Sequence, residues 1–212
     1  MRKQRLEAFS DGVIAILITI MVFDIKAPSG SDLPALMMLV NAVSTYVLSF
    51  LYLGIYWNNH HHMFQLTERV NGAVLWANLH LLFWLSLLPV ATSWLRSSHY
   101  SALPAAAYGM VLLVAALAYY ILQSTIIHAD GPGSKLREAI GSDLKGKISP
   151  LIYVVGIAVA FVQPMIAIGV YSLAALIWLV PDRRIESKIL QQGSEAVRGG
   201  AAGRQRESQR AE

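Results

Sequence analysis

A polar segment at the head of an apolar helix constrains this chain more than any other feature. The sequence runs from Arg5 through Phe9, Ser10 and Asp11 into a largely apolar stretch that ends at Phe23. A membrane helix needs about 20 residues, so a first span must take in Asp11. A buried ionisable group costs about 2.5–3.5 kcal/mol even on lenient insertion scales. Contacts with other helices must therefore offset that cost.

The composition indicates an integral membrane protein. Of 212 residues, 55% are hydrophobic and 14% are charged, against about 45–50% and 25% in soluble domains. The chain has no cysteine, which excludes disulfides, thiolate catalysis and cysteine-bound metals. The positions of the basic residues explain the net charge of +4 without a nucleic-acid partner.

Hydropathy predicts an all-α membrane fold with six transmembrane helices. The last two form one apolar run from Leu151 to Val180, which we divide at Gln163-Pro164 because proline lacks an N–H and commonly opens a helix. A single long tilted helix is the alternative. The predicted spans are about 8–27, 35–60, 71–95, 104–127, 149–163 and 164–181.

The charge pattern supports six spans, with both termini cytoplasmic. Lysine and arginine are enriched in cytoplasmic loops, and this topology leaves only Lys26 and Arg96 on the other side. Between spans four and five, residues 134–146 predict a short surface helix in a cytoplasmic loop. The chain thus divides into a transmembrane domain at 1–182 and a polar tail at 183–212, which is expected to be disordered and cytoplasmic.

The pattern Arg-x-x-x-Phe-Ser-Asp in this position resembles the signature of the transmembrane protein 175 family of potassium channels. The resemblance covers about residues 5–180 and includes Trp57-Asn58-Asn59-His60-His61-x-x-Phe64 and the stretch 78–89. Only one Phe-Ser-Asp occurs, whereas animal members carry two six-helix halves. The resemblance therefore implies a bacterial plasma-membrane protein that assembles as a homotetramer, with the first helix lining a central pore.

The resemblance also implies pore-lining positions. Isoleucine rings would form a hydrophobic constriction, although Phe23 is larger than the aliphatic residue expected at its level. From the residues alone, packing against lipid or protein explains such a stripe more simply, because the helix is apolar all round. No Thr-Val-Gly-Tyr-Gly filter occurs, no cofactor is predicted, and potassium is expected only as the permeating ion. The implied pore-lining residues are Ile16, Thr19, Ile20 and Phe23.

A second group of residues is expected to hold the helices together. Trp57, His60 and Phe64 share one helix face, and we hypothesise that His60 bonds Ser10 or Asp11 across the first two helices. Successive helix residues point about 100° apart, which argues against metal binding by His60-His61-His62. The structural group comprises Arg5, Phe9, Ser10, Asp11, Trp57 and His60, and Asn78, His80 and Ser86 are expected to act mainly in interhelical contacts.

Asp24 lies just after the apolar part of the first helix, at the end predicted to be external. Asp24 is expected to reach the external headgroups or to form an anionic ring at an outer vestibule. The sequence favours a potassium-permeable cation channel whose partners are its own copies, the bilayer and monovalent cations. A proton-linked transporter with Asp11 and His60 as a relay and a non-conducting scaffold are the alternatives. No hydrolase, P-loop or dinucleotide motif occurs, so an enzyme is not predicted.

Overall fold

The computed structural model describes residues 3–141 and 144–179. The predicted tail at 183–212 lies outside the described residues. Within them the chain is helical, without strands, which confirms the all-α fold. The helices are α1 (Lys3–Phe23), α2 (Leu33–Leu66), α3 (Gly72–Ser86), α4 (Leu88–Ser97), α5 (Ala102–Asp130), α6 (Lys135–Ile140), α7 (Leu144–Ala160) and α8 (Pro164–Leu179).

Several of these helices are suited to a membrane. Among the described residues, four segments are long and apolar enough to cross one, namely α1, α2, α5 and the combined segment Gly72–Ser97. The apolar helices of α7 and α8 are shorter, at Gly146–Ala160 and Pro164–Leu179. Six crossings therefore remain a prediction.

Helix α2 has 34 residues and runs beyond the span predicted at 35–60. Its start is fixed by the Asp32 carboxylate, which accepts the Ala35 N–H at 3.1 Å, a standard N-cap. At its other end the Thr67 hydroxyl donates to the carbonyl of Met63, and Lys3 Nζ donates to two further carbonyls. Because these groups satisfy terminal carbonyls, the polar run after residue 60 stays helical.

The third predicted span, 71–95, is interrupted in the structure. Helix α3 begins at an Asn71 cap that accepts the Val74 N–H at 3.0 Å, and Leu87 separates it from α4. Pro89 cannot donate to the carbonyl four residues earlier, and its ring crowds that carbonyl. The proline therefore explains the break.

The connection to the last two helices also differs from the prediction. The surface helix predicted at 134–146 is only α6, which Gly141 ends with φ +57°, a conformation that favours glycine. Helix α7 starts before residue 149 and contains Pro150. The helical structure is interrupted at 161–163, and α8 begins at Pro164, because proline is a preferred first helical residue.

Packing places α1 against α2, α3 and α4, while α5 packs against α3, α4, α7 and α8. The fully buried ring of Tyr171 on α8 lies against Gly109 of α5 and Gly156 of α7. The Tyr52 hydroxyl donates to the Tyr171 carbonyl at 2.7 Å. Helices α5, α7 and α8 thus approach closely because two glycines leave room for one aromatic ring.

One end of the bundle gathers the amino terminus, the 67–71 loop and the end of α5. Asp130 Oδ1 accepts the backbone N–H groups of Glu68 and Arg69 at 3.2 and 2.8 Å. Lys135 Nζ lies 2.8 Å from Glu68 Oε1. These contacts bring three of the basic residues predicted to be cytoplasmic, Lys3, Arg69 and Lys135, to a common end.

The exposed Glu68–Lys135 pair gives a pH-dependent prediction. The hydrogen bond and charge of Lys135 lower the pKa of Glu68 below its ordinary 4.5, and the same contact raises the pKa of Lys135. A carboxyl group whose pKa is lower in the folded than in the unfolded protein stabilises the fold above its unfolded-state pKa. That stabilisation is lost as the pH falls through the folded-state pKa. We expect Glu68→Gln to lower the melting temperature slightly at pH 7, with the difference shrinking below pH 4.5; a difference that grows in acid would contradict this.

Candidate pore helix and its polar collar

Helix α1 has one packed face and one exposed face. Leu6, Ser10, Ile14, Leu17 and Met21 are buried. The exposed face carries the predicted pore residues, with exposed fractions of 57% for Ile16, 50% for Ile20 and 86% for Phe23, and Thr19 is exposed beside them.

Thr19 is the polar member of this exposed stripe. Its hydroxyl donates to backbone carbonyls of its own helix, at 2.9 Å to Ile16 and 3.2 Å to Ala15. The hydroxyl proton is therefore directed to the backbone, and the oxygen lone pairs remain available to a cation.

A group of polar residues that we call the polar collar joins α1, α2 and α3. At its centre, Asn78 of α3 donates through Nδ2 to Ser10 Oγ at 3.0 Å and accepts at Oδ1 from His60 Nε2 at 2.8 Å. Exposed fractions are 0% for Ser10 and Asn78 and 1% for His60. Buried polar groups require such partners, so these two hydrogen bonds fix the position of α1 against α2 and α3. The collar consists of Ser10, Asp11, Trp57, His60 and Asn78.

The prediction that His60 bonds Ser10 or Asp11 directly is wrong, because its partner is Asn78. Asn78 lies between the two helices and bonds Ser10 and His60 separately. His60 Nδ1 is buried without a hydrogen-bond partner among the described residues. An asparagine in an apolar helix predicts a helix contact, and sequence reasoning identified Asn78 as such, but spacing within one helix could not show which neighbours it reaches.

Asp11 has a different partner. Trp57 Nε1 donates to Asp11 Oδ1 at 3.0 Å, and the Trp57 ring stacks on His61. Asp11 is half-buried, so the indole and partial exposure reduce the cost of its charge. Because Asp11 and His60 bond different groups, the structure does not favour a proton relay between them.

The other members of the predicted structural group lie outside this contact. Phe9 is 50% exposed, and Arg5 is exposed. Within the part of the chain that is described, Arg5 forms no ion pair. Both residues lie on the face of α1 that is free in a single subunit.

Asp24 is paired with a basic residue at the other end of α1. Arg96 Nη2 donates to its carboxylate and, at 2.9 Å, to its carbonyl oxygen. Two roles were predicted for Asp24, contact with external headgroups or an anionic ring at an outer vestibule. Because Arg96 already pairs with this carboxylate, its charge is largely compensated within the subunit.

Together these features define a multi-pass, all-helical membrane protein whose first helix is packed on one side and, among the described residues, exposed on the other. Residues 5–89 match a family described as endosomal/lysosomal potassium channel TMEM175. A potassium channel of Chryseobacterium sp. is 56% identical over 189 residues, covering 89% of this chain and 98% of that protein. A potassium channel of Streptomyces collinus is 33% identical, covering 81% and 89%.

A solved structure is similar over most of the chain. It is the crystal structure of a lysosomal potassium-selective channel TMEM175 homolog from Chamaesiphon minutus, with a TM-score of 0.74 and 27% identity, covering 84% of this chain and 96% of that one. The chain belongs to the TMEM175 family, as a bacterial member.

Proposed function

We propose that this protein is a potassium-permeable cation channel in the bacterial plasma membrane. The observation that carries the proposal is the exposed stripe of α1, because Ile16, Ile20 and Phe23 are left uncovered while the opposite face is packed. Relatives named as potassium channels favour a pore over lipid as the surroundings of this stripe.

In the proposed assembly, four subunits place their α1 helices around a central axis. Rings of Ile16 and Ile20 form a hydrophobic constriction that closes by dewetting, and Thr19 supplies hydroxyl oxygens to a partly dehydrated cation. Phe23 narrows the outer end. Potassium permeates without a carbonyl-cage filter, six helices cross the membrane in each subunit, and both termini are cytoplasmic.

The polar collar has a structural role in this proposal. Its buried members bond one another across α1, α2 and α3, on the face of α1 opposite the stripe. It therefore sets the rotation of α1, and with it the residues that meet the ion, without touching the ion itself.

The test compares potassium flux in proteoliposomes containing wild type or the double variant Ile16→Asn/Ile20→Asn. Hydrated side chains at a dewetting constriction lower the barrier to ions, so we expect a severalfold increase in flux. Ile121→Asn is the matched control, because Ile121 on α5 is also exposed, at 45%, and is not part of the stripe. Its flux should equal that of wild type.

Other results would contradict parts of the proposal. Wild-type flux that the double variant leaves unaltered would place the pore elsewhere, and an equal increase in Ile121→Asn would indicate membrane leak. Folded protein without flux in any form would contradict conduction. Flux that requires a proton gradient would favour a transporter.

A further inference from the structure

A large cavity lies at the Asp24 end of the bundle, between the α1–α2 loop, the start of α2 and the α4–α5 turn. Its volume is about 670 Å³, within the range of about 300–1,000 Å³ typical of ligand sites. Its lining includes Asp24 and four further acidic or basic side chains, namely Lys26, Asp32, Arg96 and His99.

The charges of this cavity are unevenly satisfied. Both carboxylates are engaged, Asp24 by Arg96 and Asp32 by the Ala35 N–H at the start of α2. Among the described residues, the side chains of Lys26 and His99 form no hydrogen bond or ion pair, and Arg96 donates to Asp24 only through Nη2. Each carboxylate thus already has a partner, whereas the Lys26 ammonium and further N–H groups of Arg96 have none, and these cationic donors suit an anionic group.

The turn that positions His99 adopts an uncommon backbone conformation. His99 and Tyr100 have φ values of +50° and +59°, which non-glycine residues seldom adopt and which persist where surrounding contacts enforce them. The Tyr100 hydroxyl supplies such contacts, lying 2.7 Å from Thr45 Oγ1 and donating to the Asn41 carbonyl at 3.1 Å. The turn thereby places His99 at the edge of the cavity.

An apolar groove of about 210 Å³ leads away from the same charges. Asp24 and Arg96 line both spaces, and the groove continues past Tyr46 and Val90 to Ile20, about one turn of α1 further into the bundle. Val90 is 66% exposed. The two spaces meet at the Asp24–Arg96 pair, so a molecule whose charged group binds in the cavity can place an apolar chain in the groove.

We propose that this cavity binds the phosphate of an anionic phospholipid, with an acyl chain in the groove beside Val90. The phosphate is bound by Lys26, His99 and the unused donors of Arg96. Only a lipid has an acyl chain to fill the groove, so the groove distinguishes a membrane lipid from a water-soluble phosphate. The end of the groove that is farther from the phosphate reaches Ile20, so the acyl chain would lie along the side of α1. This inference goes beyond conduction and rests only on insertion of the chain in a membrane.

The test is native mass spectrometry of the intact assembly, released from membranes or mixed with phosphatidylglycerol. Wild type is expected to retain phosphatidylglycerol, and Lys26→Gln/His99→Gln to reduce its occupancy about tenfold, since each basic residue contributes to attraction of anionic lipid. Lys147→Gln is the matched control, because Lys147 is exposed at the start of α7, at the opposite end. Val90→Asn should also reduce occupancy, because it places a polar amide against the acyl chain.

A competition on the wild-type protein distinguishes the two sources of phosphate without any variant. Glycerol 3-phosphate, which has the headgroup chemistry but no acyl chain, should leave phosphatidylglycerol bound at equal concentration. Displacement by glycerol 3-phosphate would overturn the lipid assignment in favour of a soluble anion. Wild-type occupancy in the double variant, or an equal loss in Lys147→Gln, would overturn the site. The readout is bound mass, so a failure of conduction does not affect it.

Discussion

Gly156→Ala is expected to destabilise the folded protein by about 1–3 kcal/mol, the typical cost of overpacking a core. A Cβ at this position would overlap Tyr171 Cε1 and lie 3.0 Å from Cδ1 and Cζ of the same ring. The ring is fully buried, and Gly109 lies against its hydroxyl end, where a Cβ would lie 2.5 Å from Tyr171 Cζ. The ring is therefore in close contact with both helices, which leaves little room for it to shift.

The measurement is thermal unfolding in detergent beside Gly169→Ala as the matched control. A Cβ at Gly169 of α8 meets nothing within 4 Å, and alanine in a helix is favoured over glycine by about 1 kcal/mol. The control should therefore melt at or slightly above the wild-type temperature. Equal melting temperatures for the two alanine variants would contradict the close approach at Tyr171.

Asn78→Leu is expected to lower stability by about 1–3 kcal/mol, because it removes two buried hydrogen bonds and leaves Ser10 Oγ and His60 Nε2 with fewer partners. Leucine has the same branching and number of side-chain heavy atoms but a larger volume, so part of the loss at this buried site comes from overpacking. Interhelical bonds in membranes average about 0.6 kcal/mol with a maximum near 1.7, which sets the lower end of the range. Unfolding in detergent at constant protein concentration measures the effect.

Asn58→Leu serves as the control for this substitution. Asn58 lies on α2, is half-buried and makes no side-chain hydrogen bond with the described residues, so its replacement should change stability little. A double-mutant cycle of Ser10→Ala with Asn78→Leu should show coupling of about 0.6–1.7 kcal/mol. Additive effects would mean that the Ser10–Asn78 bond contributes nothing.

Much of the all-α fold follows from hydropathy, because long apolar helices satisfy their own backbone groups in a membrane. The start of α8 at Pro164 was also predictable, since proline is tolerated at a first helical position. The end of α2 was not, because it depends on Lys3, which is distant in sequence and donates to the carbonyls of Gln65 and Thr67.

The candidate site was predictable in its residues more than in its contacts. A charged residue next to an apolar stretch indicates a partner on another helix, and Asp11 has one in Trp57. Helical spacing places His60 on a shared face but contains no information on what lies between two helices. The insertion of Asn78 is a property of the packing of α3, and it becomes visible only when three helices are placed together.

The attachments of α1 restrict how this helix can move. Lys3 binds it to the end of α2, and Asp24 binds the other end to Arg96 of α4. Axial sliding would break both anchors, and rotation would break the Ser10–Asn78 bond. Gly12, where an added Cβ would meet nothing within 4 Å, directly follows Asp11 of the collar and precedes Ile16 by about one helical turn. With both ends of α1 held, we expect the radius of the proposed constriction to change by bending of the helix near Gly12, where a glycine weakens it, and not by sliding or rotation.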